Sequence, residues 1–202
     1  MGALLAFPSV FRDYTDNFTE WKQQTFRSLP ALMKKVITAH EKGWTAKLEE
    51  NLNMSMIVMD TPNEVYPGIW IGSYSSVADN DFLSGEIDVV LNMAIECDYK
   101  LGVPKVQLVK IGIEDGRLTN IGVFSKAAEV IHQARSAGKT VLVHCAAGVS
   151  RSSTAVLTYL MLFKGMGWRD ALAHVQKSRS CVNPHPLLVR SLIRDLGSDF
   201  IP

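Results

Sequence analysis

One stretch constrains this chain more than any other. An apolar run, Val141-Leu-Val-His144, breaks at Cys145 into the short side chains of Ala146, Ala147, Gly148, Val149 and Ser150, then resumes after Arg151 as a helical pattern. The spacing predicts a buried strand, a tight loop and a helix in immediate succession. Such a loop can wrap a tetrahedral anion: its peptide N–H groups converge, the helix behind it presents its N-terminus, and Arg151 can close the ring with a bidentate fork. The same surroundings favour a thiolate. A free cysteine titrates at roughly 8.5, and a helix N-terminus with cationic donors lowers that to about 3.5–7.5, so Cys145 is the candidate nucleophile. The alternative for Cys145 is a small buried hydrophobe.

The rest of the chain limits what this loop can serve. With 202 residues, 47% hydrophobic content and a formal charge of +1, it reads as one domain, or one domain with an extension. That charge balance favours neither a nucleic-acid nor a membrane-surface partner. No run approaches the ~18 apolar residues of a membrane span. The segment from Met1 to Pro8 lacks the basic start of a signal peptide, and Ala6 stands where N-myristoylation of Gly2 would want Ser or Thr. Three cysteines, at 97, 145 and 181, are odd in number and widely spaced. This suits a reducing compartment, so the expected location is the cytoplasm, with the nucleus also open. Cys97 and Cys181 read as plain thiols, with a resolving role toward Cys145 as the alternative. No histidine or cysteine spacing suggests a metal, and no cofactor is expected. Nothing in the sequence speaks to oligomeric state.

In chain order, residues 10–53 carry apolar residues at intervals of three and four, from Phe18 and Trp21 to Leu48 and Leu52, and predict two or three helices. Residues 54–68 read as a linker. Val65 to Ser73 reads as a short strand, Asp79 to Leu83 as a helix start, Asp88 to Ala94 as a buried strand, and Val106 to Ile113 as another strand. Helices are expected over Ile121–Ala137, Arg151–Phe163, Trp168–Lys177 and Pro186–Leu196. Alternating strands and helices predict an α/β fold with a central, mainly parallel sheet flanked by helices. The expected division is a helical N-terminal extension, residues 1–60, and a catalytic domain, residues 61–202. In such folds ligands bind beyond the carboxyl ends of the strands, which is where Cys145 falls.

His144-Cys145-x5-Arg151-Ser152 resembles the signature of the cysteine-dependent protein phosphatases, and Ala147-Gly-Val-Ser-Arg-Ser152 resembles its dual-specificity branch. Residues 65–196 share that resemblance; residues 1–60 do not. The resemblance implies in-line attack by Cys145 on phosphorus and a phosphocysteine intermediate. Arg151 and the amides of residues 146–150 would hold the equatorial oxygens, and Ser152 would assist breakdown. Ser152 could equally cap the new helix. Gly148 reads as a backbone conformation or close approach that a Cβ would block. His144 reads as structural, bonding backbone groups around the loop, with proton donor as the alternative.

An ester leaving group needs a proton, and the polar loop Glu114–Asn120 offers two carboxylic acids. The residues alone do not choose between Glu114, Asp115 and a plain solvated turn. The resemblance implies Asp115 as general acid, with Asn120 opening the next helix, where it is also a plausible N-cap. Asn92 is expected either to brace the phosphate loop or simply to form a turn. One departure from the family pattern lies at Arg179-Ser-Cys-Val-Asn-Pro-His185-Pro-Leu187, where His185 and Leu187 replace Asn and Gly. It bears on how the last helix is entered and is not expected to touch the chemistry.

Three functions remain open on the sequence: a protein phosphatase for phosphotyrosine and phosphoserine or phosphothreonine; a non-catalytic phosphoresidue-binding scaffold; or the same chemistry on a lipid, an RNA 5′-triphosphate or a glucan. Ala146, Ala147 and Val149 place no lysine in the loop, which disfavours a highly anionic headgroup. A phosphoprotein is the expected partner. Lys34-Lys35 beside Val36-Ile37 resembles the basic-plus-apolar docking sites associated with mitogen-activated protein kinases, although a charge pair of this kind is also the ordinary solvated edge of a helix.

Overall fold

The computed structural model describes residues 61–197. The chain divides into two units, Met1–Met54 and Ser55–Pro202, and every described residue belongs to the second. The helices expected over residues 10–53, residues 54–60 of the expected linker and the Lys34-Lys35 pair lie outside the described residues; residues 63–66 of that linker form a strand instead.

Five strands form one sheet: β1 (Asn63–Tyr66), β2 (Ile69–Gly72), β3 (Val89–Ala94), β4 (Gln107–Ile113) and β5 (Val141–His144), in the order β1-β2-β5-β3-β4. β1 pairs antiparallel with β2, and the other three pairings are parallel. The helices are α1 (Asn80–Glu86), α2 (Val123–Ser136), α3 (Arg151–Lys164), α4 (Trp168–Ser178) and α5 (Pro186–Leu196), with a 3-10 turn at Tyr74–Val77. The mixed, mainly parallel sheet flanked by helices is the expected class.

Alternation along the strands decides which layer packs where. Ile69, Ile71, Val89, Leu91, Val141 and Val143 point to one face and join α2, α3, α4 and α5 in the larger core. Val90 and Leu142 point to the other, where Leu83 of α1 and the loop residues Val103 and Val106 make a second, smaller core. All residues of β3 and β5 are buried, as befits strands covered on both faces. β5 sits in the middle of the sheet, so the residue that follows it, Cys145, emerges at the centre of the carboxyl edge. α3 is buried from Arg151 through Met161, a run that only a helix lodged between a sheet and other helices requires.

Two local expectations are corrected. Val65 to Ser73 is a hairpin and not one strand: Pro67 with its fixed φ and Gly68 at φ +70° turn the chain back so that Tyr66 pairs with Ile69. Asn120 does not cap α2, which opens at Val123 with Gly122 as its N-cap. Asn120 only offers its carbonyl to Val123 N at 3.4 Å.

Candidate active site

Parallel pairing puts the carboxyl ends of β2, β3, β4 and β5 on one edge, and each contributes a segment to the site. The loop after β5 is the centre. Every carbonyl from Cys145 to Ser150 is tied to a donor outside the loop. Cys145 O accepts from His144 Nδ1 at 3.1 Å, and Ala146 O from Tyr74 N at 2.9 Å. Arg179 takes Ala147 O at 3.3 Å and Gly148 O at 2.9 Å. Asn183 N takes Val149 O and Thr154 N takes Ser150 O, both at 2.9 Å. In a planar trans peptide the N–H points opposite to the carbonyl, and no peptide here is cis. With the carbonyls drawn outward, the amides that follow them turn inward, as an anion cradle requires.

Gly148 makes this turn at φ +68°, and a Cβ there would lie 2.5 Å from Gly72 O and 2.6 Å from Arg179 Nη2. The expectation that a side chain would be blocked here is met by both conformation and space. Gly148 N donates to Cys145 Sγ at 3.3 Å, and Ser152 Oγ lies 3.3 Å from the same sulfur. The loop and the first turn of α3 thus supply one donor each to a thiolate. Of the two roles open to Ser152, contact with sulfur is the one observed. Ser150 occupies the N-cap position of α3 without capping it.

Arg151 is buried, with only 1% of its side chain exposed. Nη1 and Nη2 donate to the two oxygens of Glu96, each at 2.6 Å, and Nη1 also donates to Ile113 O at 3.0 Å. Burial works against the charge, but the Glu96 bonds, the Cys145 sulfur and the Asp115 carboxyl outweigh it, so the guanidinium stays protonated. Glu96 gains in turn. Burial would raise its pKa, but Arg151 holds it below the usual carboxylate value. With the end of the fork committed to Glu96, Nε–H and the second Nη2 hydrogen are left along one side. Nε is buried with no hydrogen-bond partner. A buried donor left unpaired is costly, and a side-on fork of two donors is the shape that accepts two oxygens of a phosphate.

Asp115 closes the site from the β4–α2 loop. Its Oδ1 accepts from Gly116 N at 2.9 Å and Ser150 Oγ at 3.1 Å, while Oδ2 stands 3.5 Å from Arg151 Nε. Its rival is turned away: Glu114 pairs with Arg117 at 2.7 Å in an exposed ion pair. The Asn92 side chain bonds its own turn and not the loop at 145–150. Its amide donates to Cys97 O and its Oδ1 accepts from Ala94 N, both at 2.8 Å, which folds the turn that delivers Glu96. The expected turn role is the observed one, and any support for the loop is indirect.

His144 sits beneath the loop. The Cys145 carbonyl can only accept, so Nδ1 carries the proton, and Nε2 accepts from Tyr99 OH at 2.5 Å. Burial, with Arg151 adding to it, lowers the imidazole to about 4. It is neutral at pH 7 and unsuited to proton donation. Because the folded state refuses a proton that the unfolded chain accepts below 6.5, the contribution of His144 to stability is complete above 6.5. It is lost as pH falls toward 4 and does not change further below. The loss over that window is roughly 3 kcal/mol. Urea unfolding of wild type and His144→Asn at pH 7, 5.5 and 4.5 should show a shallower acid decline in the variant. Identical declines would mean that His144 is not held neutral by the fold.

Three contributors escaped the sequence: Glu96, Tyr99 and the structural work of Arg179. Arg179 is fully buried and also donates to Thr61 O at 2.8 Å and Asn63 Oδ1 at 2.7 Å, fastening β1 to the phosphate loop. The departure at His185 also reaches the site, against expectation. Its ring caps α5 by accepting from Leu187 N at 3.2 Å, and its backbone N–H donates to Ser150 Oγ at 3.1 Å. Cys97, Cys145 and Cys181 are all free thiols; burial, with Glu96 adding to it, pushes Cys97 up to about 11.

Comparison with known proteins agrees with this geometry. A sequence model described as "Dual specificity phosphatase, catalytic domain" matches residues 69–195. Dual specificity protein phosphatase 22 of Homo sapiens is 34% identical over 131 residues, covering 64% of this chain and 71% of that protein. Dual specificity protein phosphatase 15 of Rattus norvegicus is 32% identical over 124 residues, 61% of this chain and 52% of that protein. Among solved structures, DUSP15 superposes with a TM-score of 0.61 at 30% identity, over 68% of this chain and 88% of that one. The human tyrosine phosphatase-like serine/threonine/tyrosine-interacting protein gives 0.60 at 32% identity, over 66% and 93%. The cradle, the thiol and the buried arginine therefore belong to a chain that is a member of the dual-specificity phosphatase family and a protein phosphatase.

Proposed function

We propose that Cys145, Arg151, Asp115 and Ser152 carry the hydrolysis of phosphotyrosine and phosphoserine or phosphothreonine in phosphoprotein substrates. The observation that carries this reading is the buried Arg151 guanidinium, whose Nε makes no hydrogen bond, stands 3.5 Å from Asp115 Oδ2 and shares its electrostatic surroundings with the Cys145 sulfur. The amides of residues 146–151 and the side-on edge of Arg151 hold the three equatorial oxygens. Cys145 Sγ attacks phosphorus in line; the S–P bond forms as the P–O bond to the leaving group breaks, and Asp115 gives that oxygen its proton. Water then attacks phosphorus while Asp115 takes a proton back. The S–P bond breaks, and Ser152 Oγ and Gly148 N stabilise the returning thiolate.

The wild-type protein should turn over phosphotyrosine and phosphothreonine peptides and should be inactive toward an inositol lipid and an RNA 5′-triphosphate. Asp115→Asn should cost about 10²–10³ in kcat on a phosphothreonine peptide, whose alkoxide leaving group needs the proton. It should cost far less on an aryl phosphate with an acidic leaving phenol. Equal losses on the two substrates would remove Asp115 from the acid's role, and absence of turnover on every substrate would leave a phosphoresidue-binding protein.

The finer reading includes a mitogen-activated protein kinase as substrate, a role in signalling, and a cytoplasmic location extending to the nucleus. Lys34-Lys35 beside Val36-Ile37 supports the first two, and three unpaired thiols support the third.

A further inference from the structure

We infer that Ser150 is a positioning residue for the proton donor: its hydroxyl, oriented by the backbone N–H of His185, holds Asp115 with Oδ2 turned to the leaving group. This rests on the reading of Asp115 as general acid and adds how that acid is aimed.

The direction of each bond follows from what each atom can do. A backbone N–H only donates, so Ser150 Oγ accepts from His185 N at 3.1 Å. The hydroxyl has one hydrogen, and the carboxyl oxygen Asp115 Oδ1 lies 3.1 Å away to receive it. Oδ1 also accepts from Gly116 N at 2.9 Å. A carboxyl oxygen already accepting two bonds keeps carbonyl character, so the acid's proton resides on Oδ2. That oxygen is 3.5 Å from Arg151 Nε, on the side where phosphate oxygens are received. Ser150 thus decides which oxygen carries the proton, while its position at the start of α3 ties the choice to the phosphate loop itself.

The rest of the acid's loop is fastened to the same helix that supplies His185. Thr119 N donates to Ser191 Oγ at 3.0 Å and Thr119 O accepts from Arg194 Nη2 at 2.7 Å, while Gly122 N donates to Asp195 Oδ2 at 2.8 Å. α5 therefore holds the loop from Thr119 to Gly122, and Ser150 joins the start of α5 to Asp115. A serine at the N-cap would ordinarily turn its oxygen to the amides of its own helix; here that interaction is forgone.

A kinetic double-mutant cycle between Ser150→Ala and Asp115→Asn examines this. Ser150→Ala should lower kcat on a phosphothreonine peptide about tenfold, a share of the roughly 10²–10⁴ that general acid catalysis supplies. On an aryl phosphate with an acidic leaving group, the loss in kcat should be several-fold smaller than on the peptide, and inhibition by inorganic phosphate, served by the amide that alanine retains, should not weaken. Ser150→Thr, which keeps the hydroxyl, should restore activity on the peptide. In the Asp115→Asn background, Ser150→Ala should have no further effect. Equal losses on both substrates, weakened phosphate inhibition, or additive effects in the cycle would each overturn the inference and make Ser150 part of phosphate binding. If Ser150→Ala does not fold, Ser150→Cys, which keeps the volume but donates weakly, goes through the same cycle with the same criteria. A leaving-group effect for Asp115→Asn without one at Ser150 removes this inference alone; no such effect for Asp115→Asn removes the reading beneath it.

Discussion

The Cys145→Ser protein is expected to hydrolyse no measurable phosphate monoester while binding one as well as the wild type does. Two donors are placed to stabilise charge on sulfur, Gly148 N and Ser152 Oγ, each at 3.3 Å. The thiolate, and not the thiol, is the attacking species in such chemistry. A serine hydroxyl in the same place remains un-ionised, and no base in the site is aimed at it, since His144 spends both nitrogens on Tyr99 and the Cys145 carbonyl. The loss in kcat should be on the order of 10⁴–10⁶, the range found when a covalent nucleophile is deleted. Binding should survive, because the cradle is held open by carbonyl bonds that do not involve sulfur. Steady-state turnover of an aryl phosphate, together with calorimetric titration of a phosphopeptide, separates the two effects. Residual turnover within tenfold of wild type would sink the phosphocysteine pathway.

What could be read in the chain before its structure was known, and what could not, follows from how far each signal reaches. β5, the loop at 145–150 and α3 are contiguous, and hydrophobic period plus short side chains were enough to place Cys145 at a strand's carboxyl end. Helices α2 to α5 were legible within a few residues for the same reason. The β1–β2 hairpin was not, because its turn is a single Pro67–Gly68 pair inside an otherwise strand-like run. Glu96 was missed although a physical signal existed: an arginine buried behind a strand end needs a carboxylate. The chain has 20 acidic residues, and nothing in local spacing points to the one 55 positions away. Tyr99 pairs with His144 across 45 residues and is equally silent. Arg179 stands in a motif that reads as a helix entrance, since its carbonyl and amide acceptors come together only in the folded chain. Asn120 looked like a cap by residue type, and Gly122 took that position instead.

Replacing Arg151 with lysine should reduce kcat/KM for a phosphopeptide by about 10²–10³, although the charge is retained. The guanidinium performs two tasks at once. Its end-on pair of nitrogens holds Glu96 at 2.6 Å and Ile113 O at 3.0 Å, and only because these are satisfied does its side-on edge stand ready for two phosphate oxygens. An ammonium has three donors at one point and cannot span both directions; drawn to Glu96, it leaves the anion side without its cation. Phosphate binding and transition-state stabilisation should therefore fall together. Inorganic phosphate should inhibit the Arg151→Lys protein at least about tenfold more weakly, each charge-assisted bond being worth about 1.5–3 kcal/mol. This is the opposite of the Cys145→Ser pattern, in which chemistry is lost and binding kept. Thermal unfolding should change little, because lysine still offers Glu96 a partner. Unchanged phosphate inhibition in Arg151→Lys would show that the side-on edge is not what receives the oxygens, and would return the cradle to its backbone amides alone.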